Sequence, residues 1–150
     1  LCKDTVTGVE YAMKIMNKNK LRKITINSTT NGYTLLKEEF KVLQAMEHPN
    51  ILWLHEVIDN PKKDDIYLIT EYHINGSIGD LVKKSKNGIS ADKCRLFFVD
   101  MLKALWYCHK VVNVIHRDIK PDNIMINHNN QAVLIDFGVS MILDQKQEDT

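Results

Sequence analysis

A chain of 150 residues, 44% hydrophobic and 26% charged, carries enough apolar side chains to bury a core, which excludes disordered and fibrous classes. Twenty basic residues against nineteen acidic ones leave a formal charge of +1, so there is no electrostatic footprint for nucleic acid or an anionic membrane. Any anion bound here must be held by a local constellation.

Taken in chain order, Leu1-Cys2 reads like the tail of a strand, and Val9 to Met16, VEYAMKIM, as a strand with apolar residues on both faces after a turn at Thr7-Gly8. Lys18 to Thr34 reads as a basic helical turn running into an Asn/Ser/Thr/Gly-rich loop. Apolar residues at Leu35, Leu36, Phe40, Leu43 and Met46 have a helical period, ended by His48-Pro49-Asn50. Strands follow around Ile51 to Val57 and Ile66 to Glu71, joined by the turn-rich DNPKKDD, and Asn75-Gly76 breaks the pattern. Ile78 to Lys84 reads as a short helix. Ser90 suits the cap of a long one from Ala91 to about Val111, with Asp92 favourable in its first turn and Cys94, Phe97, Met101, Leu105 and Cys108 on one stripe. A loop, a strand at Ile124 to Ile126, a turn at Asn127 to Asn130 and a strand at Ala132 to Ile135 complete the pattern. A strand-rich half therefore precedes residue 75 and a helix-led half follows it.

Cys2, Cys94 and Cys108 stand at no metal-ligand spacing and are expected to be buried free thiols in a reducing compartment. No apolar run reaches membrane-spanning length and no signal-peptide pattern opens the chain, so a cytoplasmic location is expected, with the nucleus also open. The triplet Asn27-Ser28-Thr29 fits a glycosylation sequon, a pattern common by chance. Gln145 to Thr150 is a polar segment without a terminal element, and the chain is expected to be a fragment that is inactive and poorly soluble alone, because the long helix would expose its apolar stripe.

Two stretches concentrate unusual chemistry: HRDIKPDNIMI, from residue 116, and LIDFGVS, from residue 134. If IMI and AVLI pair across HNNQ, Asn123 lies opposite Asp136, and two oxygen ligands meet at one hairpin end. Such oxygens suit Mg²⁺, although the same residues also begin and end ordinary turns. Asp118 and Lys120 in the adjoining loop offer a carboxylate to accept a hydroxyl proton and an ammonium to neutralise phosphoryl charge, or else a surface ion pair. In the first half, Lys14 sits mid-strand on the face of Ala12 and Met16. Glu39 shares the helical stripe of Leu35, Leu43 and Met46. Each would relieve the other's desolvation if they paired; the bland alternative is a snorkelling lysine and a glutamate at the stripe's wet edge.

These residues resemble the eukaryotic protein kinase catalytic domain: YAMK is similar to its V-A-I-K strand, HRDIKPDN to its catalytic loop and DFG to its metal-binding turn, in the expected order. The resemblance implies an α+β bilobal fold, partial here, with an antiparallel-sheet N-lobe at residues 1–71, a hinge at 72–76 and a helical C-lobe at 77–150. It implies ATP and Mg²⁺ as cofactors, with Lys14 on the α/β-phosphates and paired to Glu39, Asp136 and Asn123 on the metal, and Asp118 as the base. Lys120 matches the serine/threonine version of the loop, and Arg117 is similar to arginines that bind an activation-loop phosphate. Ala12 and Met125 would sandwich the adenine, with Glu71, Tyr72 and His73 as the hinge and Thr70 as the residue at the back of the pocket. Leu43, Leu54, His116 and Phe137 match an apolar spine, with His116 a packed structural residue.

DNPKKDDIYLITEY, the polar insert before the Glu39 helix, and DFGVS resemble the calcium/calmodulin-dependent protein kinase kinases. That likeness implies a protein substrate that is itself a kinase, in that group's manner of acting upstream, and calmodulin binding through a segment outside this chain. The insert lacks the Arg/Pro-rich composition of animal members, and Ser77 stands where many kinases place an acid for the ribose. A nucleotide-binding scaffold without activity is the competing reading, and the presence of Lys14, Glu39, Asp118, Asn123 and Asp136 together counts against it.

Overall fold

The computed structural model describes residues 1–25 and 30–142; the Asn27-Ser28-Thr29 triplet and the polar segment from Gln145 lie outside them. Four strands, β1 (Cys2–Lys3), β2 (Glu10–Asn17), β3 (Leu54–Asp59) and β4 (Asp65–Glu71), form an antiparallel sheet in the order β1-β2-β4-β3. Asp4 sets the β1–β2 turn by accepting the Val6 and Thr7 N–H groups on Oδ1, and Gly8 adopts the left-handed φ of 75° that the reversal requires. β3 starts three residues later than the apolar run suggests. Ile51 is diverted to the second half, where Leu52 N–H donates to Leu134 and Leu134 N–H donates to Asn50.

Helix α1 (Lys18–Lys23) follows β2 directly, capped by the Asn17 side chain on Lys20 N–H. Helix α2 (Gly32–Gln44) begins earlier than its apolar period, because Asn31 caps it by accepting the Tyr33 and Thr34 N–H groups. Its buried face is Leu36, Phe40, Val42 and Leu43, whereas Leu35, expected on the inward stripe, is 38% exposed. Leu36 and Phe40 pack with Ile66 and Leu68 of β4 into one cluster. Val42, Leu43 and Met46 belong to the larger core of the second half, so α2 bridges the two clusters.

In that half, α3 (Ile78–Lys84) starts in a capping box of Ser77 and Asp80, and α4 (Ala91–Lys110) is capped by Ser90 with Asp92 in its first turn. Phe97, Met101, Ala104 and Cys108 are the buried stripe of α4. Cys94 lies off that stripe and is exposed, and Cys2 is only partly buried, so a set of three buried thiols is corrected to Cys108 alone. The far side of α4 leaves Leu96, Phe98, Leu102 and Trp106 more than half exposed. Among the described residues, no helix is long and apolar enough to cross a membrane.

Three short features complete the half. Strands β5 (Val114–Ile115) and β8 (Met141–Ile142) pair antiparallel, a 3-10 turn spans Pro121–Asn123, and β6 (Ile124–Ile126) pairs with β7 (Ala132–Leu134). The β6–β7 hairpin is held at its base by two links, one buried and one partly buried: Asn50 Nδ2 donates to Ala132 O at 2.9 Å and Ala132 N–H to Asp100 Oδ2 at 2.9 Å.

Candidate active site

A cleft of about 280 Å³ opens between the sheet and the β6–β7 hairpin, lined by Ala12, Lys14, Glu39, Thr70 and Asp136 among others. Five residues from four separate elements of the sequence are thus brought to one hollow. Lys14, opposite Leu68 in the β2–β4 ladder, is exposed to the solvent of the cleft, and Thr70 closes its rear at 8% exposure. Leu43 and Leu68 supply apolar wall beside them.

The expected Lys14–Glu39 ion pair is not closed: among the described residues, no contact within 4.0 Å joins the two. Glu39 leans toward the turn at Asp136 instead. A methyl group added at Gly138 would lie 3.3 Å from Asp136 Oδ1 and 3.5 Å from Glu39 Oε2, so this glycine leaves the space into which both carboxylates project. Burial pushes the Glu39 carboxyl above its ordinary value; Lys14 opposes the rise and Asp136 adds to it.

Beside the cleft, the loop from His116 to Asn123 is wired to the same hairpin. His116, 1% exposed, has Nε2 2.8 Å from Ile135 O, and its Nδ1 accepts the Asp118 N–H at 3.2 Å. Acceptance at Nδ1 fixes the neutral tautomer with its proton on Nε2, in keeping with a burial that holds the imidazole below its ordinary pKa. The ring also meets Phe137 edge-on at 4.7 Å. The packed role expected of His116 is therefore joined by a second: it couples the backbone of Asp118 to the residue preceding Asp136. Nothing in the sequence marks that dual bond.

Asp118 accepts Lys120 Nζ at 2.5 Å and Asn123 Nδ2 at 2.8 Å, both on Oδ2. The Lys120 hydrogen bond, followed by that of Asn123, holds the Asp118 carboxyl below the ordinary aspartate range, and the same contact raises Lys120. The two groups are therefore an ionised pair over the neutral pH range. Asn123, 6% exposed, also donates to Asp118 O at 3.0 Å. Its backbone carbonyl takes Ile135 N–H at 3.0 Å, so Asn123 stands opposite Ile135 and one residue short of the facing position expected for Asp136.

The chemistry of these donors fits a divalent cation. Asn123 turns its amide hydrogens to Asp118, and among the described residues no donor reaches its Oδ1. Asp136 presents a carboxylate at the cleft from a backbone with φ of 65°. Among the described residues, no group of three or more His, Cys, Asp or Glu side chains is placed to hold a metal ion. Two oxygen ligands with room for water and phosphate are what Mg²⁺ takes, whereas a closed structural site would need more.

Other expected residues lie outside the cleft. Glu71 ends β4 with its carboxylate on Trp53 N–H at 3.1 Å, and Tyr72 is 42% exposed. His73 is 6% exposed, with Nε2 3.4 Å from Glu71 Oε1 but not aligned for a hydrogen bond; its carbonyl takes Gly76 N–H, and among the described residues its own N–H has no partner. Met125 is half-buried in β6, opposite Val133 and bridged to Ser77. Arg117, expected to await a phosphate, instead donates to Val139 O at 2.7 Å and Ser140 O at 3.4 Å. It thereby ties the loop to the segment entering β8.

The whole chain, residues 1–150, matches the family model described as the protein kinase domain. A probable serine/threonine-protein kinase of Dictyostelium discoideum is 38% identical over 135 residues, 89% of this chain and 19% of that protein. CBL-interacting serine/threonine-protein kinase 20 of Arabidopsis thaliana is 33% identical over 143 residues, 95% of this chain and 30% of the relative. The SNF-related serine/threonine-protein kinase of Homo sapiens is 35% identical over 141 residues, 93% of this chain and 17% of the relative. The chain thus spans less than a third of the length of these curated relatives. With the full-length family match and the shared cleft of Lys14, Glu39 and Asp136 beside Asp118 and Asn123, the chain belongs to the protein kinase domain family.

Proposed function

We propose that the protein carrying this chain transfers the γ-phosphoryl group of ATP to serine or threonine hydroxyls of a protein substrate. The observation that carries the reading is the convergence of Lys14, Glu39 and Asp136 on one cleft, with Ile135 in its wall bonded to both His116 and Asn123. When bound, Mg²⁺-ATP supplies the phosphoryl group and the metal charge that neutralises it. Lys14 would contact the phosphates once Glu39 turns to it, and Asn123 Oδ1 with the Asp136 carboxylate would hold the metal. Asp118 would orient the substrate hydroxyl and accept its proton as the bond to phosphorus forms and the bond to the ADP oxygen breaks. Lys120, already on Asp118, would neutralise the transferring group. Ala12, Thr70, Met125 and the backbone of Glu71, Tyr72 and His73 would hold the adenine, with the unpartnered His73 N–H as a donor to the ring.

At a finer level, we place the protein with the calcium/calmodulin-dependent protein kinase kinases, acting on another kinase in the cytoplasm, with calmodulin bound outside this chain. The support is the wording of DNPKKDDIYLITEY and DFGVS. Asp118→Asn in the intact protein tests the central reading. Transfer to a serine/threonine peptide should fall about 10²- to 10⁴-fold with folding unchanged. Equal activity in both proteins would remove the role given to Asp118, and no transfer by the unaltered protein with ATP still bound would favour the scaffold. Transfer to a peptide from a kinase activation segment, with and without Ca²⁺-calmodulin, tests the finer placement.

A further inference from the structure

Helix α2 must present Glu39 to the cleft, and its inward residues are apolar side chains shared between two clusters. Its first turn carries a polar network that the proposed chemistry does not use. The Tyr33 hydroxyl donates to Asp59 Oδ2 at 2.9 Å, and Asp59 Oδ1 accepts Lys18 Nζ at 2.8 Å. Lys18 also donates to Asn60 O at 2.8 Å, and its side chain is only 4% exposed. A buried ammonium is costly unless paired, so Lys18 and Asp59 are obligatory partners, and Asp59 is fixed in place before Tyr33 reaches it. The Lys18 bond, with a lesser contribution from Tyr33, holds the Asp59 carboxyl below its ordinary value.

The ring of Tyr33 is held as firmly as its hydroxyl. Arg22 Cζ of α1 lies 4.9 Å from the ring centroid and Lys37 Nζ, one turn along α2, lies 4.7 Å from it. The start of α2 is seated closely on α1: Gly32 N–H donates to Ile24 O at 2.9 Å, and a Cβ at Gly32 would come 2.9 Å from the carbonyl oxygen of Leu21. Three elements therefore meet at Tyr33: the β2–α1 junction through Lys18, the β3–β4 turn through Asp59, and α2 itself. Glu39 lies six residues on, about 240° around the axis, so any roll of the helix that breaks Tyr33 from Asp59 also carries Glu39 away from the cleft.

We propose that Tyr33, Asp59 and Lys18 form a latch that fixes the rotation of α2, making Tyr33 a positioning residue for Glu39. The inference rests on the kinase reading for its consequence in catalysis. In the latched helix, Glu39 and Lys14 already line one cleft. Unlatched, the helix must be re-ordered at each turnover.

The test is Tyr33→Phe in the intact protein, which deletes one oxygen and keeps the ring and both cations. Turnover at saturating peptide and ATP should fall on the order of tenfold, the equilibrium worth of a hydrogen bond to a charged group. The KM for peptide should hold. Amide exchange over Leu35 to Phe40 should quicken, while exchange in α4 stays as it was. Asp59→Glu, which keeps a charge for Lys18 but misplaces the acceptor, should reproduce the pattern; Asp59→Ala would strand Lys18 and is unsuitable. Unchanged turnover in Tyr33→Phe, or a fall with α2 exchange unaltered, overturns the latch. Should the parent protein show no phosphoryl transfer, the kinase reading fails, and quickened exchange confined to α2 would still establish the latch as a structural coupling.

Discussion

Replacing His116 with phenylalanine keeps a ring against Phe137 while deleting two hydrogen bonds from a side chain that is 1% exposed. Ile135 O and Asp118 N–H, both partly buried, are then left without their partner. Each such loss costs about 1–3 kcal/mol, and the more apolar ring returns about 1 kcal/mol, for a net loss of about 1–5 kcal/mol. That is a large share of the roughly 5–15 kcal/mol that holds an ordinary domain together. Urea unfolding of the intact protein at neutral pH should show the midpoint lowered with the slope retained. Acidity supplies a second readout. Burial holds the folded His116 below its ordinary 6.5, so the unfolded chain takes up the proton first. The wild type therefore keeps its full stability above pH 6.5 and loses part of it as pH falls from there toward the folded value, whereas the variant cannot lose that part. The gap between the two should narrow on acidification. A cost below about 0.5 kcal/mol, or a gap indifferent to pH, would refute the claim that His116 is a neutral double-bonded bridge.

The raised Glu39 carboxyl and the lowered Asp118 carboxyl predict which group sets the acid limb of turnover. As pH falls, Glu39 takes a proton first and loses its attraction for Lys14 while Asp118 remains ionised. In Glu39→Gln the limb should shift to lower pH, whatever the height of the profile, and an unshifted limb would count against the assignment. Cys94 is exposed, whereas burial pushes the Cys108 thiol up to about 11. Maleimide at neutral pH should label Cys94 in the folded protein and Cys108 only after denaturation, as read by peptide mass. Gly32→Ala should destabilise by about 1–3 kcal/mol, because the added carbon meets the Leu21 backbone carbonyl at 2.9 Å rather than a movable side chain. A neutral or stabilising outcome in thermal unfolding would mean that α1 and α2 part more easily than their contact implies.

Legibility from sequence followed the range of the interactions involved. The strand at Lys14, helices α3 and α4 with the Ser90 cap of the latter, and the β6–β7 hairpin are set by local period and capping chemistry, which neighbouring residues spell out. The phase of α2 was harder. Leu35 and Leu36 both suit an apolar stripe, and only the packing of Leu36 and Phe40 on Ile66 and Leu68 decides which one turns inward. Ile51 belonged to an apolar run that pointed to the sheet, but Leu134 captured it from far along the chain. The two-residue pairing of β5 with β8 carries no periodicity to read. In the site, the chemical identity of Lys14, Glu39, Asp118, Asn123 and Asp136 was visible, whereas the open Lys14–Glu39 gap and the engagement of Arg117 by Val139 and Ser140 depend on rotamers that sequence does not encode. Lys18 opens what reads as a basic helical turn, and its burial follows from an acid forty-one residues away.

The Asp118 carboxylate has unequal halves. Both of its side-chain donors fall on Oδ2, and among the described residues Oδ1 receives none. In the proposed transfer, an incoming alcohol would therefore meet a carboxylate with one oxygen already engaged, its approach biased toward Oδ1 by Lys120 and Asn123. Lengthening this residue by one methylene would keep the charge and lose that bearing.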